Sequence, residues 1–300
     1  MTDGAKAQTG WHGGWFVLAG VTILSPDALL VRLIGADEMT TAFWRLLLLG
    51  LTLLLAAVWR GVRRRQSLRH AVMPTRDDML AGAFYGGTSL CFILSIKNTD
   101  VANTLVIIAA TPLIAGLIGV FLFRRQQALR TWIASIVVFV SLAVIVGQGL
   151  GGVNMKGDLL ALGTAVCLAC YFNVLGVKIH IDSVRAMMAG AFLATAVVAP
   201  MSHPAAIAGL DFVWLLLLGC LVLPLSFTLI SRGAKHIPAA EVGLIMLAEA
   251  IFGSILVWIF IGEVPTAVTF IAGGIVIATL ALHSLMALRD HRQRRKIPTA

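Results

Sequence analysis

The sequence predicts an all-α polytopic membrane protein: ten transmembrane helices forming two inverted-topology five-helix repeats. Three observations carry this. Of 300 residues, 59% are hydrophobic and only 12% charged, a composition foreign to soluble domains. The apolar residues fall in helix-length runs separated by short loops. The stretch from Asp100 to Arg125 also lies without a gap over the stretch from Pro238 to Glu263. In that superposition Ala102 meets Ala240, Ile107 meets Ile245 and Ala110 meets Ala248, while Asn103 falls opposite Glu241 and Thr111 opposite Glu249.

The first span, 14–33, follows the polar opening MTDGAKAQTG and is interrupted by Ser25-Pro26-Asp27. No small-residue cleavage site ends it, so it reads as a retained span. Span two, 39–58, carries Phe43-Trp44-Arg45 and ends at an arginine-rich segment, 59–77. Span three, 78–97, holds Gly82, Gly86 and Gly87, which allow close helix approach. Span four, 101–122, contains Thr111-Pro112, and span five covers 131–148. Span six, 157–177, holds Tyr171 and Asn173; span seven covers 183–202. Span eight, 210–231, contains Pro224 and Ser226. Span nine, 238–260, carries Glu241 and Glu249. Span ten, 266–288, holds His283 and continues as helix into a basic tail that stops near Pro298. Backbone polar groups must be satisfied within each span, so all are helices.

These spans divide the chain into a tail at 1–13, a first repeat at 14–148, a second at 149–288 and a basic tail at 289–300. With both termini in the cytoplasm, the 23 lysines and arginines fall on that side except Arg32, Arg45, Lys97 and Lys156. That is the positive-inside pattern, and it supports both the span count and a topology with both termini inside. Five spans per repeat is an odd number, so the second half enters the membrane inverted. Such repeats place a substrate site near the midplane.

The net charge of +9 does not point to nucleic acid. The basic residues sit in short loops and form no groove; their partner is the anionic leaflet of the lipid bilayer. Cys91, Cys167, Cys170 and Cys220 all lie inside apolar runs. Cys167 and Cys170 have CxxC spacing without a second pair or a nearby histidine, so small packing residues are expected and no metal. No cofactor is implied.

The candidate site is a set of polar and aromatic residues at span depth, where such residues mark pathways. Glu249 is central, halfway along its run. Tyr85, Ser89 and Phe92 share one helical face. Asn103, Thr111, Tyr171 and Met246 complete the substrate-binding candidates. Asp27 is read either as a coupling-ion or substrate residue or as one half of an ion pair with Arg32 or Arg45. Arg45 is read for structure or gating. Pro26 and Pro112 can open the helix backbone. His283 reads as an interior or interface histidine.

The start of span two, FWRLLLLG, the alanine-rich fourth and ninth spans, and LAEAIFGSILVWIFIGEVPT closing on Gly262-Glu263 carry a resemblance. Together they resemble the drug/metabolite transporter superfamily of the ten-helix EamA type, from about residue 14 to 288. Two departures stand out. Ala250 takes the place where the family pattern has proline, and Arg124-Arg125 replaces the Gly-Glu pair in the first half. The resemblance implies a cavity lined by spans one, three, four, six, eight and nine, with five and ten peripheral. It is similar most of all to bacterial amino-acid exporters of the YddG type.

The function expected is secondary transport: export of small amphipathic metabolites, neutral or aromatic amino acids, by alternating access. A carrier of drugs, sugars or nucleotide sugars is the alternative within the same superfamily. An intramembrane enzyme is the reading from another class, and the sequence offers it no HExxH motif and no paired aspartates. No Walker motif is present to use ATP. Both halves are fused in one chain, so a monomer is expected to suffice.

Overall fold

The computed structural model describes residues 3–65, 67–123, 129–148, 155–178, 180–207, 209–233 and 239–294. Arg124, Arg125, the core of the loop at 149–154 and Pro298 fall outside these residues. So do the side chains of Glu241 and His283.

Every long element is a helix. The first passage is α1 (Asp3–Leu24) and α2 (Asp27–Leu33), separated at Ser25-Pro26. The second is α3 (Glu38–Arg63), whose first turn is capped by Asp37 accepting from the N–H of Met39 and Thr40 at 3.0 and 2.9 Å. A short α4 (Leu68–Val72) follows. The third passage, α5 (Arg76–Asn98), starts with a capping box between Thr75 and Asp78. The fourth is broken into α6 (Val101–Ala109) and α7 (Thr111–Phe123). The fifth is α8 (Leu129–Gln148) and the sixth α9 (Met155–Val177). The seventh, α10 (Ser183–Val198), is capped by Asp182. The eighth runs through α11 (Leu210–Leu216), a π-helical stretch at Leu217–Val222, and α12 (Leu223–Gly233). The ninth and tenth are α13 (Ala239–Ile261) and α14 (Ala267–Arg294).

Seven helical stretches among the described residues are long and apolar enough to cross a bilayer. Three shorter apolar stretches, Trp132–Ser141, Ala248–Ile261 and Ala267–Leu282, lie within α8, α13 and α14 and complete the ten passages. Their outward faces carry large bare apolar side chains. Leu55, Phe270, Ile259 and Ile136 are each more than 60% exposed, a surface suited to acyl chains rather than water.

The helix contacts occur in symmetric pairs. Passage three packs on six as eight packs on one, and three packs on seven as eight packs on two. Passage four packs on six as nine packs on one. Two and seven, four and nine, and five and ten pair with each other. Exchanging the two halves therefore leaves the packing pattern nearly unchanged, as two inverted five-helix units require.

Close backbone approach locks one crossing. A Cβ built on Gly190 of α10 would lie 2.1 Å from the carbonyl oxygen of Gly82, and one on Gly86 would lie 2.5 Å from the carbonyl oxygen of Gly190. Only glycine fits there, which accounts for two of the three glycines in span three. Gly262, at φ +77°, ends α13 as glycine typically does and turns the chain toward Glu263.

Candidate functional site

The breaks in the helices position the site. Pro112 has no N–H to give the carbonyl of Ile108, four residues earlier. The Thr111 hydroxyl donates to that carbonyl instead, at 2.6 Å. The turn between α6 and α7 is therefore satisfied internally, as lipid demands. In the second repeat Ala250 occupies the matching place, and α13 runs unbroken through it. Proline in one half only makes the two related helices bend differently.

A cavity of about 840 Å³ of non-atom space, open mouth included, lies among these passages. Its polar lining is Asp27, Arg45, Thr88, Ser89, Thr111, Thr164 and Glu249. Its apolar wall includes Leu24, Phe92, Leu105, Leu168, Phe172, Leu223, Phe227 and Met246. Passages one, three, four, six, eight and nine all contribute, as the resemblance implies. Arg45 brings in passage two as well.

Asp27 and Arg45 form an ion pair. Nη2 of Arg45 donates to both Asp27 oxygens, at 2.8 and 2.6 Å, and both side chains are almost wholly buried. The Phe92 ring lies 5.4 Å from the guanidinium carbon, a cation–π contact. Nε and Nη1 of Arg45 are buried with no hydrogen-bond partner among the described residues. No described residue forms an ion pair or hydrogen bond with the Glu249 carboxylate.

The candidates separate into two groups. Ser89, Phe92, Thr111, Met246, Glu249, Asp27, Arg45 and Pro112 line the cavity. Tyr85, Asn103, Tyr171 and Pro26 do not. Tyr85 and Tyr171 are buried with ring centroids 5.6 Å apart, and Tyr85 stands edge-on to Phe227 at 5.4 Å. They back the cavity wall. Their phenol oxygens have no hydrogen-bond partner among the described residues. Asn103 is occupied elsewhere: its amide faces Asp158 at 3.4 Å, and the Thr269 hydroxyl donates to its carbonyl oxygen at 2.6 Å. Asp158 in turn accepts from Thr99 at 2.7 Å. This cluster ties passages four, six and ten together. Pro26 sits at the start of α2 and supplies the break that places Asp27.

Sequence reasoning missed Phe172 and Phe227. Phe172 adjoins Tyr171, and Phe227 lies one turn after Pro224, so both were within a turn of residues that were singled out. Asn173 lies outside the cavity, where its amide donates to the carbonyls of Ala115 and Ala169, both at 3.0 Å. It fastens α9 to α7.

At the end bearing Glu263 the two halves are tied together. There Arg32 meets Glu263 at 3.1 Å, and Glu263 also accepts the N–H of Val101 at 2.7 Å. Lys97 donates to the carbonyls of Ile34 and Ala36. Toward the other end, α13 packs on α6, whereas α7 packs on α9 and α8. That end carries its own bonds between halves: Arg60 with Asp182 at 3.2 Å, Arg185 with the buried Asp78 at 3.3 Å, and Asp77 with Lys178 and His180.

The EamA-like transporter family matches the chain twice, over residues 11–147 and 155–285. The first match spans passages one to five and the second passages six to ten. Among curated proteins, the uncharacterized transporter YwfM of Bacillus subtilis is 24% identical over 280 residues, covering 89% of this chain and 88% of its own. The threonine/homoserine exporter RhtA is 26% identical in Salmonella typhimurium LT2 and in Escherichia coli K12, with the same coverage. A solved crystal structure aligns with a TM-score of 0.66 over 92% of this chain and 98% of its own, at 15% identity. That likeness speaks for the fold alone.

Proposed function

Because the chain belongs to the EamA-like transporter family, we propose that it is a secondary carrier exporting small neutral amino acids by alternating access. The transporter family and the multi-pass fold place it in a bacterial inner membrane. One observation supports the finer reading above the others. A cavity between the two inverted halves combines buried charged groups, Asp27, Arg45 and Glu249, with a wall of phenyl rings. Charged groups suit a polar head and rings an apolar side chain. The RhtA relatives are threonine/homoserine exporters, which favours small neutral amino acids within that class.

The arrangement reads as one state of an alternating cycle. On this reading the Arg32–Glu263 end is the closed one, and by the positive-inside pattern it faces away from the cytoplasm. The route on the cytoplasmic side would run between the α7 half of passage four and α13. Exchange of the two halves' conformations would close that route and open the other. The described cavity lining comes from both fused halves of one chain, and on this reading the working unit is a monomer.

The test is flux. Purified protein in liposomes should exchange labelled threonine, homoserine or phenylalanine without ATP. Sugars, nucleotide sugars and cationic drugs should compete poorly. Fast exchange of one of those and none of any amino acid would replace this reading. A carrier of amphipathic cations is the second reading with an observation behind it, because phenyl rings line the same cavity as Glu249, which has no partner among the described residues, and such a site also suits an organic cation.

A further inference from the structure

The cavity's charged groups are not used up by one another. Arginine has five N–H donors. Asp27 engages only Nη2 of Arg45, leaving Nε and Nη1 buried and unpartnered among the described residues. A buried charged donor without an acceptor is costly, so an occupant that supplies an acceptor is favoured. Across the same cavity Glu249 is a carboxylate with no cation paired to it among the described residues. Ionised, the three groups sum to one negative charge, so an occupant carrying positive charge is favoured too. An acid lacking an ammonium meets excess negative charge. An amine lacking a carboxylate leaves Arg45 unsatisfied. A zwitterion answers both.

On the reading of this chain as an amino-acid carrier, we propose that Arg45 and Glu249 are the two poles of a receptor for the α-amino-acid head group. Nη1 of Arg45 takes the carboxylate, and Glu249 takes the ammonium. The Thr111 hydroxyl proton is committed to Ile108, so its oxygen is left as an acceptor and serves the ammonium as well. Phe92, stacked on the guanidinium, restricts its rotation and aims the remaining N–H groups. Asp27 holds the opposite side of the guanidinium and fixes its place. Phe172, Phe227 and Met246 then meet the substrate side chain, where size decides fit.

The experiment uses the wild-type chain in liposomes and labelled threonine. Three unlabelled analogues compete: threoninamide, the decarboxylated amine and the amine-free hydroxy acid. Each should compete at least tenfold less well than threonine. Arg45→Lys keeps a cation beside Asp27 but lacks the Nη1 donor. It should raise the KM for threonine at least tenfold while leaving inhibition by threoninamide unchanged. Glu249→Gln should weaken threonine similarly and leave inhibition by the hydroxy acid undiminished. If the amide or the amine competes within threefold of threonine, the head-group assignment is overturned while the carrier reading stands. Should Arg45→Lys not fold, the analogue series on the wild type decides alone. Absence of flux for threonine, homoserine and phenylalanine alike overturns the carrier reading, and this inference with it.

Discussion

Arg32 Nε lies 3.1 Å from Glu263 Oε2, joining the end of α2 to the turn after α13. The same carboxylate accepts the N–H of Val101 at the start of α6, and Arg32 donates to the carbonyl of Ile96 in α5 at 2.7 Å. One glutamate and its arginine thus hold passages one, three, four and nine together at this end. The pair is partly exposed, so it contributes about 1 kcal/mol. Glu263→Ala should shift the equilibrium toward opening at this end by about fivefold. The measurement is labelling of Ile108→Cys by a membrane-impermeant thiol reagent from outside, with the four native cysteines replaced. Unchanged labelling would mean that the pair does not control that end.

The ion pair inside the cavity makes a sharper demand. Removing one partner of a buried pair strands the other charge, at about 3–5 kcal/mol. Asp27→Asn should therefore sharply reduce the yield of folded protein in gel filtration. The apolar double variant Asp27→Leu with Arg45→Met should recover folded protein without recovering flux. A folded, fully stable Asp27→Asn protein would show that Arg45 finds compensation elsewhere.

Two glycines give opposite expectations. Gly190→Ala places a methyl 2.1 Å from the Gly82 carbonyl oxygen and should cost about 1–3 kcal/mol by overpacking. Gly274→Ala meets nothing within 4 Å and should gain about 0.5–1 kcal/mol from helix propensity. Thermal unfolding in detergent should move in opposite directions for the two.

The break in passage four can be read by a double-mutant cycle. Thr111→Val strands the Ile108 carbonyl and should cost about 1–3 kcal/mol. Adding Pro112→Ala restores a backbone N–H for that carbonyl, so the double variant should be more stable than Thr111→Val alone. Additive losses would show that the hydroxyl does not substitute for the missing N–H.

Asp37, in the turn between the first two passages, carries a pH signature. Burial disfavours its charge. Hydrogen bonds from the Thr40 side chain and from the backbone N–H of Thr40 and Met39 outweigh this, with help from His203, and hold its pKa below the ordinary 3.8. A carboxyl whose folded pKa is depressed stabilises above its unfolded value and loses that stabilisation as pH falls through the folded value. Asp37→Ala should cost about 1 kcal/mol at neutral pH. The gap from wild type should narrow only when the pH drops below the ordinary carboxylate range. A gap that narrows already near pH 6 would assign the effect to another group.

The repeat alignment alone put Thr111 opposite Glu249, and both line the cavity. It could do so because apolar spans repeat with a register that lipid depth enforces. The same alignment put Asn103 opposite Glu241, yet Asn103 is held by Asp158 and Thr269. Both partners are distant in the chain, and no local pattern links them. Tyr85 shares the helical face of Ser89 and Phe92 but falls behind Phe227, because facing inward does not decide which neighbour stands in front. For Asp27 the sequence left Arg32 and Arg45 open as partners. Packing chose Arg45 and gave Arg32 to Glu263.

The sequence by itself determined the number of crossings, their helical nature, the fused inverted halves and the depth of the polar residues. Each of these follows from one local constraint, the free energy of placing polar groups in hydrocarbon. The tertiary structure alone decided which carboxylate took which arginine and which charged groups were left without a partner among the described residues. Those outcomes depend on a few ångströms between helices far apart in the chain, a distance that neither composition nor periodicity encodes.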